Sequence, residues 1–357
     1  IDTGLDSFAF LAIPFFILSV QIMSKGVIAN RLISFAKTLV GFLPGGLALI
    51  NIVSAMLMGA IAGSAMASAS AMGTILGPEM EKEGYSKEFG AAVNITSSTT
   101  GLVIPPSNTL IVYSLASGGV SIAALFLAGY IPGILTGLLM MIVAMIWAKK
   151  NNYPIGKRSS LKEVFVKFID AFPSLLLLVI VIGGIIGGIF TATEASAVAV
   201  LYTVLLSFYY KEMSLKDLPK VILESVETTS IVMLLIGASM CMSWVLSYEN
   251  IPQDISNALL SVSDNKIVIL LMINVILLAV GIFMDATPAV LIFTPIFLPI
   301  VTALGMDPTH FGIVLMLNLC IGLCTPPVGS VLFVGVGIAK TSICLLYTSP
   351  SPRDCKT

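Results

Sequence analysis

The chain has 357 residues; 57% are hydrophobic, 10% are charged and the formal net charge is −1. Soluble domains carry about 25% charged residues, so this chain cannot cover itself with polar surface and a water-soluble enzyme is excluded. Near-neutral charge argues against a nucleic-acid partner, which needs clustered Lys and Arg. One His and five Cys leave little for a metalloenzyme or a disulfide scaffold.

In chain order, residues 7–24 form an apolar helix, and 28–42 (IANRLISFAKTLVGF) read as an amphipathic, interfacial arm. Residues 45–83 are apolar and rich in small residues, and 88–116 are apolar but interrupted at Pro105-Pro106. Residues 121–148 span, 149–167 form a polar loop, and 172–190, 195–210 and 225–247 span again. Residues 251–262 are interfacial; 266–304 are apolar and contain Asp285; 310–339 are apolar but interrupted at Pro326-Pro327. From Cys344 the character changes, and the Ser-Pro-Ser-Pro run cannot continue a helix, so 344–357 are expected to be a non-native tail outside the fold.

Two parts of this list match. A shift of 221 positions lays Pro105-Pro106 on Pro326-Pro327, Pro78 on Pro299, Gly84 on Gly305 and Gly101 on Gly322. Identity over 64–122 is only roughly one in five, but helix breakers are rare in membrane helices, and their coincidence carries the match. With the Lys-rich loop 149–167 placed in the cytoplasm, Lys25, Arg31, Lys37, Lys82, Lys87, Lys340 and the loop Lys211–Lys220 fall on the same side. The count holds with 45–83 and 266–304 as re-entrant hairpins, entering from opposite sides because an odd number of crossings separates them. The expected fold is an all-α polytopic membrane protein with inverted repeats, two re-entrant helical hairpins and two discontinuous helices. Its domains are a scaffold helix and arm over 1–42, a first repeat over 43–120, scaffold spans over 121–265 and a second repeat over 266–343.

Backbone freed inside a bilayer must line protein or a water-filled cavity. It is freed around Gly63-Ser64, over Thr100 to Asn108, around Asp285 to Pro288 and over Thr325 to Gly329. Carbonyls and hydroxyls there are hard ligands for a small cation such as Na⁺, and half-helix N-termini suit an anion. Asp285 reads either as a cation ligand or as the N-cap of the helix that follows, two compatible roles. The proline pairs read as site elements or as simple kinks. Glu194 in Thr191-Ala192-Thr193-Glu194 reads as a capping box, Cys320 and Cys324 as packing residues and His310 as a loop or cap residue. Arg31, Arg158 and Arg353 all lie away from the four breaks, so a bound anion would be neutralised by helix ends and cation. There is no P-loop for direct ATP use.

The runs FLAIPFFIL, LPGGLALINIVSAML, GSAMASASAMG, SSTTGLVIPPSNTLIVY, GIFTATEASAVAV, GIFMDATPAVLIFTPIFLPI and LCTPPVGSVLFV resemble the large membrane subunit of TRAP transporters of the C4-dicarboxylate type, over nearly all of residues 8–343. The resemblance implies a Na⁺-coupled importer of an organic acid in the bacterial inner membrane, working by an elevator motion without an organic cofactor. It implies two partners, a periplasmic substrate-binding protein and a small TRAP membrane subunit. It also implies that an N-terminal helix and the final span or spans lie outside this chain. Na⁺ is then expected at Gly63, Ser64, Ser98 and Gly101, and at Asp285, Thr287, Thr325 and Gly329. The acid is expected between them, at Ser64, Ser97, Thr100, Pro105, Pro106, Ser107, Asn108, Thr325, Pro326 and Pro327. The alternatives are a stand-alone Na⁺- or H⁺-coupled dicarboxylate carrier of similar design and, from another class, an intramembrane hydrolase, for which one His and one convincing intramembrane Asp are a poor set.

Overall fold

The structure, a computed structural model, describes residues 11–23, 27–156, 158–211, 213–251, 253–255 and 265–347. Residues 7–10 of the first expected helix, Lys25, Lys157, most of the interfacial segment 251–262 and the tail beyond 347 lie outside the described residues.

The described residues are helical throughout, apart from short connections. In chain order the helices are α1 (Ala12–Met23), α2 (Val27–Val40), α3 (Gly46–Ala62), α4 (Ala65–Lys82), α5 (Lys87–Ser98), α6 (Thr100–Val103), α7 (Asn108–Ala116) and α8 (Ile122–Lys150). There follow α9 (Leu161–Ile186), α10 (Ala192–Tyr209), α11 (Leu218–Tyr248), α12 (Lys266–Phe283), α13 (Ala286–Ala303), α14 (Pro308–Leu323), α15 (Ser330–Ala339) and α16 (Ile343–Tyr347). Among the described residues, six helices, α8 to α13, are long and apolar enough to cross a membrane. Length does not separate a span from a re-entrant arm in α12 and α13: each has 18 residues, about 27 Å. Long runs of exposed apolar side chains, such as Ile131, Leu135, Leu139, Val143 and Ile146 on α8, suit a non-aqueous surround.

Both hairpins and both breaks form where the chain chemistry demands. Gly63 ends α3 with φ +56°, a left-handed conformation that favours Gly, and Ser64 opens α4 by accepting from the Ala67 N–H at 3.4 Å. Met284 and Asp285 make the corresponding turn between α12 and α13. Helix is lost from Ile104 to Ser107 and from Cys324 to Gly329, around the two proline pairs. Thr191 and Glu194 close a reciprocal capping box, with Glu194 Oε2 accepting from Thr191 N–H at 2.8 Å. His310 sits in the first turn of α14, its N–H donating to Asp307 Oδ1 at 3.3 Å. The Cys320 and Cys324 thiols donate to the carbonyls of Thr99 and Ile95, so both pack rather than pair.

Three boundaries differ from expectation. α9 begins at Leu161, so 161–167 are helix rather than loop: LKEVFVK alternates charge with apolar residues, and Glu163 stabilises the first turn. α11 begins at Leu218, with Pro219 in its first turn, where a missing N–H costs nothing. Ile343–Tyr347 are helical and pack near α5 and α15, with the Tyr347 hydroxyl donating to the Cys324 carbonyl, so the expected tail boundary at 344 falls inside a folded segment.

The arm α2 lies between two groups of helices, packing on α3 and on α9. Arg31 fastens it: one guanidinium N–H donates to Asp170 Oδ1 at 2.8 Å, and the guanidinium lies 3.6 Å from the centre of the Tyr210 ring. Because the pair is half-exposed, each contact is worth only a fraction of 1 kcal/mol to about 1 kcal/mol. Arg31→Ala should therefore speed amide exchange of α2 about fivefold, the equivalent of about 1 kcal/mol, while exchange in α14 stays unchanged.

The two repeats interlock. α7, the second half of the first broken helix, packs against α13 of the second hairpin; α15, the second half of the second, packs against α4 of the first. Where α7 meets α14 a Cβ on Gly312 would stand 2.5 Å from the Tyr113 ring, and where α15 meets α5 one on Gly335 would stand 2.1 Å from Ile95. Tyr113 also donates to the Pro308 carbonyl at 2.6 Å.

Candidate functional site

Each hairpin tip meets the break of its own repeat. At the first, a Cβ built on Gly63 would lie 3.0 Å from the Pro106 carbonyl oxygen and 3.3 Å from the Asn108 N–H nitrogen. Ser107 closes the break, donating to the Leu102 carbonyl at 2.6 Å and accepting from the Leu110 N–H at 3.4 Å. At the second, Ser330 Oγ donates to Asp285 Oδ1 at 3.0 Å, and the Gly329 N–H donates to the Ile282 carbonyl at 3.0 Å. Gly329 has φ +42°, and the carbonyl oxygens of Leu323 and Thr325 come within 2.8 and 3.0 Å of where its Cβ would be. Carbonyl oxygens thus crowd the second break beside a carboxylate.

Asp285 occupies the N-cap of α13, yet its side chain makes no capping hydrogen bond; it turns to Ser330 at the start of α15. A carboxylate shared between two helix starts is stabilised by both sets of N–H dipoles and keeps lone pairs for a cation. On the 221-residue register its counterpart is Ser64, which does cap its helix.

The hydroxyls of the first repeat spend their protons on helix carbonyls. Ser98 donates to Asn94 O at 2.6 Å, Thr100 to Ser97 O at 2.6 Å and, in the second repeat, Thr325 to Ile321 O at 2.7 Å. A hydroxyl used this way offers only lone pairs to a third party, which suits a hard cation. Ser97 lies 3.3 Å both from the Asn94 carbonyl and from Asn51 Oδ1 of α3, so its one proton serves either acceptor. Thr287 follows Asp285 on the first turn of α13, half-buried.

Similar contacts recur in the two parts of the chain, one or two positions off the strict 221-residue register, which lays Asn51 on Met272 and Gly59 on Val280. The pair Asn51–Ser97 recurs as Asn274–Asn318, with Asn318 Nδ2 donating to Asn274 Oδ1 at 2.6 Å. Gly59 of α3 touches Gly101, and Gly281 of α12 touches Gly322, so both hairpins lie backbone to backbone on their broken helices. Thr99 and Cys320 share one register position and touch each other, Cys320 Sγ lying 3.4 Å from Thr99 O. Positions related by the 221-residue shift thus touch at this point. Gly59, Gly281, Asn51 and Asn274 are not marked by sequence as site residues, whereas Ser330 is one of the hydroxyls expected near the second break; the glycines were discoverable as the residues one turn before each tip.

The breaks differ in access. Thr100 to Ser107, including Pro105 and Pro106, are buried, and Asn108 is half-buried; Thr325 and Pro326 are half-buried and Pro327 is exposed. Arg31 is engaged by Asp170, and Arg158 lies 5.5 Å from the Phe42 ring, so neither reaches a break. The positive ends of α7 and α15 remain there for an anion.

Comparison with known proteins agrees with this architecture. The profile of the family described as the tripartite ATP-independent periplasmic transporter, DctM component, matches residues 1–350. An uncharacterized protein, YgiK, of Salmonella typhimurium is 58% identical over 340 residues, 95% of this chain and 78% of its own length. The C4-dicarboxylate TRAP transporter large permease protein DctM of Pseudomonas aeruginosa is 42% identical over 330 residues, covering 92% of this chain and 77% of that one. Among solved structures, the Alcanivorax borkumensis YdaH transporter superposes with a TM-score of 0.63 at 12% identity, covering 98% of this chain and 79% of that one, a likeness of fold. A family match over nearly the whole length, together with two broken helices seated on two hairpin tips, means that this chain is a multi-pass membrane protein belonging to the DctM family of TRAP transporter large permeases, a family of transporters and not of enzymes.

Proposed function

We propose that this chain is the permease subunit of a Na⁺-coupled TRAP system in the bacterial inner membrane. It imports an organic acid, a C4-dicarboxylate or related carboxylate, handed over by a periplasmic binding protein while a small membrane subunit braces the scaffold helices. The named Pseudomonas aeruginosa relative supports the substrate class.

The observation that carries the reading is the pairing of each tip with its own break, with Asp285 turned away from its capping role toward Ser330. The donor set there fits Na⁺: a carboxylate, hydroxyl oxygens and the carbonyls of Leu323 and Thr325 are all hard oxygen ligands. Na⁺ is co-cargo held by Gly63, Ser64, Ser98 and Gly101 at one tip and by Asp285, Thr287, Thr325 and Gly329 at the other. Bound charge there, with the N-termini of α7 and α15, offsets the acid, which lies among Ser64, Ser97, Thr100, the two proline pairs, Ser107, Asn108 and Thr325. The contact between Thr99 and Cys320, which share one position of the 221-residue register, supports inverted repeats and an elevator motion, because one unit would present the same site to either side.

The test is uptake by proteoliposomes holding this permease with its small subunit and binding protein. An inward Na⁺ gradient should drive accumulation, and replacing it with K⁺ should abolish accumulation. Equal uptake without a Na⁺ gradient would overturn the coupling. Uptake independent of the binding protein would favour a stand-alone carrier.

A further inference from the structure

A cavity of about 350 Å³ opens between α4, α5 and α15, away from both tips. Two buried amides line it. Asn51 is 1% exposed: its Oδ1 accepts from Ser97, but its Nδ2 has no partner among the described residues. Asn94 is 3% exposed: its Nδ2 donates to the Ala69 carbonyl at 2.8 Å, but its Oδ1 has no partner among the described residues. A buried polar atom left without a partner is costly, so an orphan donor and an orphan acceptor on two side chains of one cavity wall call for a guest that supplies both.

The rim is cationic. Lys87 and Lys340 line it, opposed by Glu81, which lies 3.5 Å from Lys87. The two lysines less the one carboxylate leave a net charge of +1. Floor and walls are built from glycines, and a Cβ on Gly77 or Gly337 would meet nothing within 4 Å, so space continues beyond both. Gly73, by contrast, leaves room for Asn94, because a Cβ built there would lie 2.6 Å from Asn94 Nδ2.

We propose that this cavity binds a small hydroxylated carboxylate. The carboxylate accepts from Asn51 Nδ2 and faces the lysines; a hydroxyl donates to Asn94 Oδ1. Single negative charge matches the rim, and the volume accommodates an acid of sugar size. The site stands apart from the transport site but abuts it, because Asn51 also receives the Ser97 hydrogen bond. Occupancy therefore bears directly on the first broken helix.

The probe is D-gluconate, with hexanoate as the hydroxyl-free acid, titrated by calorimetry onto the full chain in zwitterionic nanodiscs without Na⁺. Saturable gluconate binding is expected, with hexanoate at least tenfold weaker. Gly77→Leu and, as a second variant, Gly337→Leu point a side chain into open space and should abolish binding with an unchanged melting temperature. Asp285→Asn, which tests the Na⁺ reading, should leave gluconate binding intact. The proposal is overturned by absence of saturable gluconate binding to the unaltered chain or by hexanoate binding equally. It is also overturned if binding persists in both leucine variants, or if it is lost in Asp285→Asn alone.

Discussion

Asp285→Asn should raise the half-saturating Na⁺ concentration for uptake about ten- to hundredfold while leaving the folded permease intact. Interactions with a charged partner are worth about 1.5–3 kcal/mol, and each 1.4 kcal/mol is a factor of ten in affinity. Asn has the same shape and is as good an N-cap as Asp, so α13 keeps its start. The amide oxygen can still accept from Ser330 Oγ, which donates to Asp285 Oδ1 at 3.0 Å. Only the negative charge is removed, and the change reports charge rather than fold. The measurement is initial uptake against Na⁺ concentration at fixed, saturating binding protein. Ser330→Ala, which removes a neutral donor, should shift the same curve by less than tenfold. An Asp285→Asn permease with an unaltered Na⁺ curve would take Asp285 out of the site and leave it as a helix start.

Much of the architecture could be read in advance because helix breakers are scarce in apolar segments. Pro105-Pro106 and Pro326-Pro327 locate both breaks, and Gly63-Ser64 and Asp285 locate both tips, to within a residue or two. The exchange of partners between α7 and α13, and between α15 and α4, could not be read. Helices that are apolar on most faces carry no stripe to say which neighbour they will cover. Asn51 and Asn274 escaped for a related reason: one polar residue in an apolar run reads as tolerated rather than paired. Their spacing held the clue. Asn51 precedes Gly59 by eight residues and Asn274 precedes Gly281 by seven, so amide and glycine share a helix face in both hairpins. The start of α9 was misplaced because a charged, amphipathic first turn resembles a loop until packing is known.

The match between repeats also makes a quantitative demand on the glycines where hairpin and broken helix cross. A Cβ on Gly101 would stand 2.6 Å from the Gly59 Cα, and one on Gly322 would stand 2.5 Å from the Gly281 Cα. The obstacle is backbone in both places, so no side chain can rotate away; α3 must part from α6, or α12 from α14. Overpacking of this kind costs about 1–3 kcal/mol when neighbours can adjust, and these two sites belong at the upper end or beyond. Gly101→Ala and Gly322→Ala should therefore each destabilise the protein by about 3 kcal/mol, lowering the midpoint of thermal unfolding in detergent by several degrees and by nearly equal amounts. Gly77→Ala is the control: its Cβ meets nothing within 4 Å, and replacing a helical Gly by Ala is neutral to stabilising by up to about 1 kcal/mol. Loss of stability in one crossing variant with none in the other would mean that the two repeats do not hold their hairpins by the same contact. The proposed inverted-repeat relation would then lose its support at these crossings.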